Sequence, residues 1–153
     1  MRSMAERGGK HDDVTRKIVG VFYEVYNELG YGFLESVYCQ AMRLALTQNG
    51  LQVETEVPVP VSFRDGVIGI FRDDLIVNGA VLIELKALDG LLQQHKAQTL
   101  HYLRATEIKV ALLMNFGAVP RLKRLMVDKE AKRASHQSVV IGAKPLSAPE
   151  VIE

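Results

Sequence analysis

Two runs near the middle of the chain carry charge where charge is expensive: Asp73-Asp74-Leu75-Ile76-Val77 and, after Asn78-Gly79-Ala80, Val81-Leu82-Ile83-Glu84-Leu85-Lys86. Apolar runs of this kind read as strands buried on both faces, where an ionised group must be paired or bound to a metal. Glu84 and Lys86, two apart, share one face of their strand. Which aspartate meets them depends on register. A two-residue turn at Asn78-Gly79 pairs Val77 with Ala80 and sets Asp73 opposite Glu84, whereas a three-residue loop including Ala80 pairs Val77 with Val81 and sets Asp74 there. Spacing alone leaves both registers open. In either, an aspartate, a glutamate and a lysine converge. Two carboxylates at close range raise each other's pKa unless a divalent cation takes up their charge. Magnesium held by two carboxylates and a strand carbonyl, keeping several waters, could bind a phosphate oxygen and lower the pKa of an attacking water. Lys86 could orient that water or offset charge developing on phosphorus.

The elements that must hold these groups follow from periodicity. Val14, Ile18, Val21, Phe22, Val25 and Leu29 predict a helix from Asp12 to Leu29, capped by Asp12 or Asp13 and closed by Gly30. A second helix is expected from about Leu34 to Asn49, closed by Gly50, with Leu34, Val37, Tyr38, Ala41, Leu44 and Ala45 on one broad face. At about 100° per residue Glu35 falls in line with Met42 and Leu46, on the apolar side. Alternation from Val53 to Phe63 predicts a half-exposed strand, which Pro58 and Pro60 place at a sheet edge. Asp65-Gly66 signals a hairpin into a strand from Val67 to Val77, and Val81 to Lys86 completes an antiparallel meander. Leu91 to Thr106 then reads as a helix, Ile108 to Met114 as a buried strand and Leu122 to Val127 as a last edge strand. A strand, helix, strand order implies a crossover and at least one parallel pairing. The expected fold class is α/β, with a mixed central sheet flanked by helices.

With 153 residues, 48% of them apolar, the chain fits one domain over residues 12–128, preceded by a flexible N-terminus (1–11) and followed by a weakly ordered tail (129–153). The 19 Lys and Arg nearly balance the 18 Asp and Glu, so any polyanion must be bound by a local patch. Cys39, the single cysteine, excludes an internal disulfide framework and a multi-cysteine zinc site, and suits a cytoplasmic setting. The first ten residues have no apolar core of a signal peptide, and no run approaches the ~20 apolar residues of a membrane span.

Gly32-Phe33-Leu34-Glu35-Ser36-Val37-Tyr38 fits the pattern GxxExxY. The chain resembles the small bacterial and archaeal GxxExxY family, placed in the PD-(D/E)XK nuclease superfamily, from about Ile18 to Val127. Asp74-Leu75-Ile76-Val77, Glu84-Leu85-Lys86, His95 with Gln98, Tyr102-Leu103 and Asn115-Phe116-Gly117 follow in the family's order at similar spacing. The resemblance implies a restriction-endonuclease-like core. It makes Asp74 and Glu84 the metal-binding carboxylates and Lys86 the catalytic lysine, which favours the three-residue loop. Glu35 matches the superfamily's first-helix glutamate and becomes a further metal ligand. Gln98-x-x-x-Tyr102 is similar to the Gln-x-x-x-Tyr motif of the exonuclease-like branch, on one helical face with His95 beside it. Before Asp74 stand Arg72 and Asp73, with no proline; Asp73 is a substitute ligand. The implied activity is Mg2+- or Mn2+-dependent hydrolysis of phosphodiesters in DNA, less readily RNA. Catalysis falls to Asp74, Glu84, Lys86, Glu35 and Gln98, and substrate contact to Tyr102, His95 and Arg72.

Each residue also has a plainer reading. Glu84 and Lys86 alone would be a solvated pair on an exposed strand, favoured by composition. Glu35 could bond backbone amides in the first turn of its helix. His95 and Tyr102 are ordinary packing residues, Gln98 an ordinary helix former, and Asn115-Phe116-Gly117 a strand end in a turn. Arg121, Lys123 and Arg124 form the densest basic cluster, most often a solvated strand edge and otherwise a phosphate contact. The alternative function is a non-catalytic module binding nucleic acid or protein on the same fold; a phosphohydrolase of small nucleotides is a third. The sequence leaves room for a homodimer.

Overall fold

Helical spacing of Val14, Ile18, Val21, Phe22 and Val25 produces α1 over Asp12–Leu29, with Asp12 and Asp13 in its first turn. The structure, a computed structural model, describes residues 12–90, 93–128 and 150–152. The expected N-terminal arm (1–11) and most of the expected tail (129–149) lie outside the described residues, as do Leu91 and Leu92. Gly30, at φ 71°, donates its N–H to the Tyr26 carbonyl at 2.7 Å and ends α1 in the left-handed conformation that glycine adopts without strain. α2 covers Glu35–Gln48; the strands β1 (Val53–Phe63), β2 (Gly66–Val77) and β3 (Val81–Lys86) follow. α3 (Gln93–Arg104) leads to β4 (Val110–Phe116) and β5 (Pro120–Met126), and β6 covers Glu150–Ile152.

The sheet order is β1-β2-β3-β4-β5. β1, β2 and β3 form the antiparallel meander, α3 crosses over, β3 and β4 run parallel, and β5 returns antiparallel to β4. The proline-bearing β1 is an edge strand, because its Pro58 and Pro60 cannot donate to a further ladder. β6 departs from the expected tail: Gly69 to Phe71 of β2 pair with Glu150 to Ile152 in parallel. Val151 and Ile152 are strong strand formers, and this stretch of β2 extends past its ladder with β3.

One cluster joins Ile18, Phe22, Tyr38, Met42 and Leu46 of α1 and α2 to Leu75, Val77, Ile83, Leu85, Leu112 and Met114. A second joins Leu100 and Leu103 of α3 to Leu82, Ala111 and Leu125 on the other face. A mixed sheet thus lies between a two-helix layer and a one-helix layer.

Three local expectations need correction. The first hairpin turns at Arg64-Asp65, both at positive φ (48° and 65°), while Gly66 already pairs with Phe63 in the ladder. The turn therefore sits one residue earlier than Asp65-Gly66 suggested. On α2 the buried residues are Tyr38, Met42 and Leu46, whereas Leu34 is 75% exposed and Leu44 58%. This helix carries apolar residues nearly all round, so tertiary contact rather than its own pattern chooses the buried stripe. β4 extends through Asn115 and Phe116, both buried, and the turn begins only at Gly117.

Candidate active site

The turn between β2 and β3 resolves the register left open by spacing. Asn78 and Gly79 both take positive φ (53° and 63°), and Ala80 donates its N–H to the Val77 carbonyl at 2.9 Å. Asn78 also ties the turn to the segment before β1: its Oδ1 accepts the Gln52 N–H at 2.8 Å, and its own N–H bonds the Gln52 carbonyl at 2.8 Å. The ladder then pairs Val77 with Val81, Ile76 with Leu82 and Leu75 with Ile83. One residue further on each strand, Asp74 stands across from Glu84. The side chains of residues 71–74, including Arg72, Asp73 and Asp74, lie outside the described residues.

β3 pairs with β2 from Val81 to Ile83 among the described residues and with β4 from Val81 to Lys86.

On β3, Glu84 is 4% exposed, with its Oε1 out of reach of solvent. This overturns the solvated-pair reading. A carboxylate so buried requires compensation by hydrogen bonds, a positive charge or a cation. Lys86, half-buried, follows two residues later. Because Ile83 and Leu85 face α1 and α2, alternation turns Glu84 and Lys86 with Leu82 toward the α3 layer.

α3 presents its polar residues on that side. The Gln98 amide donates from Nε2 to the Tyr102 hydroxyl at 2.9 Å, so the two share one helical face as their spacing of four predicts. Tyr102 is buried and packs with Val61, Ile68 and Ala105. His95 is half-buried, and its carbonyl accepts the Thr99 hydroxyl at 2.9 Å. Burial, and secondarily the positive charge of Lys86, hold the His95 imidazole below its ordinary pKa. His95 is thus neutral at pH 7 and within the electrostatic reach of Lys86.

Glu35 approaches from the opposite layer. It is half-buried in the first turn of α2, in line with buried Met42 and Leu46, and one turn before Tyr38. The Tyr38 ring stacks on Phe116 at 4.3 Å and 15°, which brings the start of α2 to the end of the sheet where β3 and β4 finish. The Tyr38 hydroxyl donates to the Gly30 carbonyl at 2.7 Å and accepts the Phe33 N–H at 3.2 Å. The tyrosine of the GxxExxY pattern thus latches the loop from which Glu35 starts.

Asn115 has a role that the sequence reading missed. It is fully buried, and its side chain clamps one residue of the segment leading from Lys86 to α3: Oδ1 accepts the Leu88 N–H at 2.9 Å and Nδ2 donates to the Leu88 carbonyl at 3.0 Å. A side chain on Gly117 would run into that same Leu88 carbonyl, so this glycine permits the close approach. The available signal was an amide embedded in the apolar run Leu112-Leu113-Met114-Asn115-Phe116, where a polar group must be satisfied.

Among the described residues no three His, Cys, Asp or Glu side chains converge as a ready metal cage. The donor set on and opposite β3, a buried glutamate with an aspartate across from it, is hard-oxygen chemistry that fits magnesium or manganese rather than zinc or copper. Among the described residues, no helix is long and apolar enough to cross a membrane.

Comparison with known proteins agrees with this architecture. A family model described as the PD-(D/E)XK nuclease superfamily matches residues 12–126. No curated protein matches the chain. Among solved structures, the crystal structure of SSO0001 is similar with a TM-score of 0.50 and 19% identity over 72% of this chain, a likeness of fold. The match spans 59% of that protein's chain.

Proposed function

The chain belongs to the PD-(D/E)XK nuclease superfamily, and from that premise we propose that it is a divalent-metal-dependent nuclease of the GxxExxY type, hydrolysing phosphodiesters of nucleic acid, DNA in preference to RNA. Superfamily members generally use divalent metals. The observation that carries the reading is the 4%-exposed Glu84 on β3, with Asp74 across from it by register. A buried carboxylate is costly to stability, which makes it a candidate for chemical use.

In this reading Asp74 and Glu84 hold Mg2+ or Mn2+, with Glu35 as a further ligand directly or through water. When bound, such an ion would supply a water of lowered pKa and a positive charge beside the phosphate. Lys86 would donate to an attacking water and offset charge on the phosphate oxygens. Gln98, fixed by its 2.9 Å bond to Tyr102, positions water or metal. Tyr102, neutral His95 and Arg72 contact the substrate. Cytoplasmic placement suits the single, half-buried Cys39.

Cleavage of single- and double-stranded DNA in Mg2+ and in Mn2+ tests the assignment. Glu84→Ala is expected to abolish cleavage with the fold intact, and an active, purified Glu84→Ala protein would refute it. A second reading is a non-catalytic module on the same fold, favoured by the near balance of 19 Lys and Arg against 18 Asp and Glu. It predicts salt-sensitive binding that survives neutralisation of Asp74 or Glu84.

A further inference from the structure

β5 carries Arg121, Lys123 and Arg124 and no acidic residue, and the sheet separates these three cations between its two faces. Arg124 pairs with Leu112, whose side chain belongs to the α1 layer. Consistent with that side, the Arg124 guanidinium donates to Asp12 of α1 at 2.8 Å. It also lines a pocket with Asp12, Thr15, Arg16 and Val19. Its charge is already used.

Arg121 and Lys123 fall on the opposite face by alternation. Directly paired residues of neighbouring strands project to the same side. The pairings Glu84 with Leu113 and Leu113 with Lys123 make one row across the sheet, and Lys86 with Asn115 and Asn115 with Arg121 make the next. α3 covers the row of Leu82, Ala111 and Leu125, one step nearer the other end of the strands. Arg121 and Lys123 remain exposed. Two strand spacings, ~10 Å, separate them from Lys86 and Glu84, a span that a nucleic-acid strand crosses in roughly three residues at ~3.4 Å of axis each.

We propose that Arg121 and Lys123 form a phosphate-contacting track that leads the nucleic-acid backbone to the Glu84 and Lys86 rows, and that Arg124, turned to α1, takes no part. This inference rests on the nuclease reading and adds the direction of approach: the substrate strand enters over β5 on the α3 face. A merely protective role for the two cations at the sheet edge would be indifferent to DNA.

The test is fluorescence anisotropy of a labelled 20-nucleotide DNA, single-stranded and as duplex, titrated with the full chain in EDTA over a range of salt. Arg121→Gln/Lys123→Gln is compared with Arg16→Gln/Lys17→Gln, which removes the same charge from exposed positions of α1. The β5 double variant is expected to bind roughly tenfold more weakly and to lower the salt slope by about 2, each single substitution by about 1, with the α1 pair close to the wild type. Thermal unfolding verifies that all variants are folded. Unchanged binding by the β5 variant, equal losses in both double variants, or a wild type that binds no DNA would each overturn the proposal. Cleavage by the wild type in Mg2+, assayed separately, shows whether the nuclease reading fails with it or survives.

Discussion

Val81, Ile83 and Leu85 of β3 point into the layer made by α1 and α2, whereas Leu82, Glu84 and Lys86, alternating with them, face α3. On the first face the neighbours are apolar and close-packed, with Phe116 stacked on Tyr38 and edge-on to Phe22 at 4.9 Å. On the second, a buried carboxylate and a lysine follow a single apolar residue. A six-residue strand thus performs two jobs. The two-helix face supplies the hydrophobic stabilisation that tolerates a desolvated charge on the other.

The sharpest way to break the comparison is Phe116→Ala, which removes the ring shared by Phe22, Tyr26 and Tyr38. It is expected to cost about 3–5 kcal/mol by urea denaturation. Because Tyr38 sets the start of α2, the α1–α2 loop should lose hydrogen-exchange protection as well. A smaller loss is expected for Asn115→Ala. It leaves the Leu88 N–H and carbonyl without their side-chain partners and should cost about 1–3 kcal/mol. Faster exchange of the Leu88 amide would identify the cause. On the opposite face Glu84→Gln is expected to change stability by less than ~1 kcal/mol, or to raise it, since the substitution removes a buried charge and keeps the shape. Cleavage should nevertheless be lost. A Glu84→Gln protein as damaged as Phe116→Ala would show that the polar face is structural.

The smallest effect concerns His95. Its pKa lies below the ordinary value in the folded state, so the unfolded chain takes up the proton first as pH falls. The stability contribution of neutral His95 is therefore present above the unfolded pKa of about 6.5 and is lost as pH drops through it toward the lower folded value. Lys86→Met removes the secondary, Coulombic cause and should raise the His95 pKa in an NMR titration. An unmoved His95 in that variant would mean that burial alone sets it.

Much of this arrangement was legible in the chain because period and turn chemistry agree over long stretches. Alternation from Val53 to Phe63, interrupted by Pro58 and Pro60, identifies an edge strand, and the order strand, helix, strand around residues 81–116 requires the parallel pairing of β3 with β4. Glu35 was correctly placed in line with Met42 and Leu46. What stayed hidden depends on contacts distant in sequence. Leu34 and Leu44 looked like core because α2 has little amphipathic contrast, and the stack of Tyr38 on Phe116, 78 positions away, decides which stripe is buried. Asn115 looked like a turn residue because its partner, Leu88, lies 27 positions back. The division of Arg121 and Lys123 from Arg124 needed the registers of β3, β4 and β5 together.

The most direct test of the central claim, that Asp74 on β2 and Glu84 on β3 form a metal-dependent active site, is isothermal titration of Mg2+ and Mn2+ into the full chain and into Asp74→Asn. The account predicts saturable binding by the wild type that Asp74→Asn loses, along with cleavage of DNA. Binding that persists in the variant, or no binding by the wild type, would contradict it.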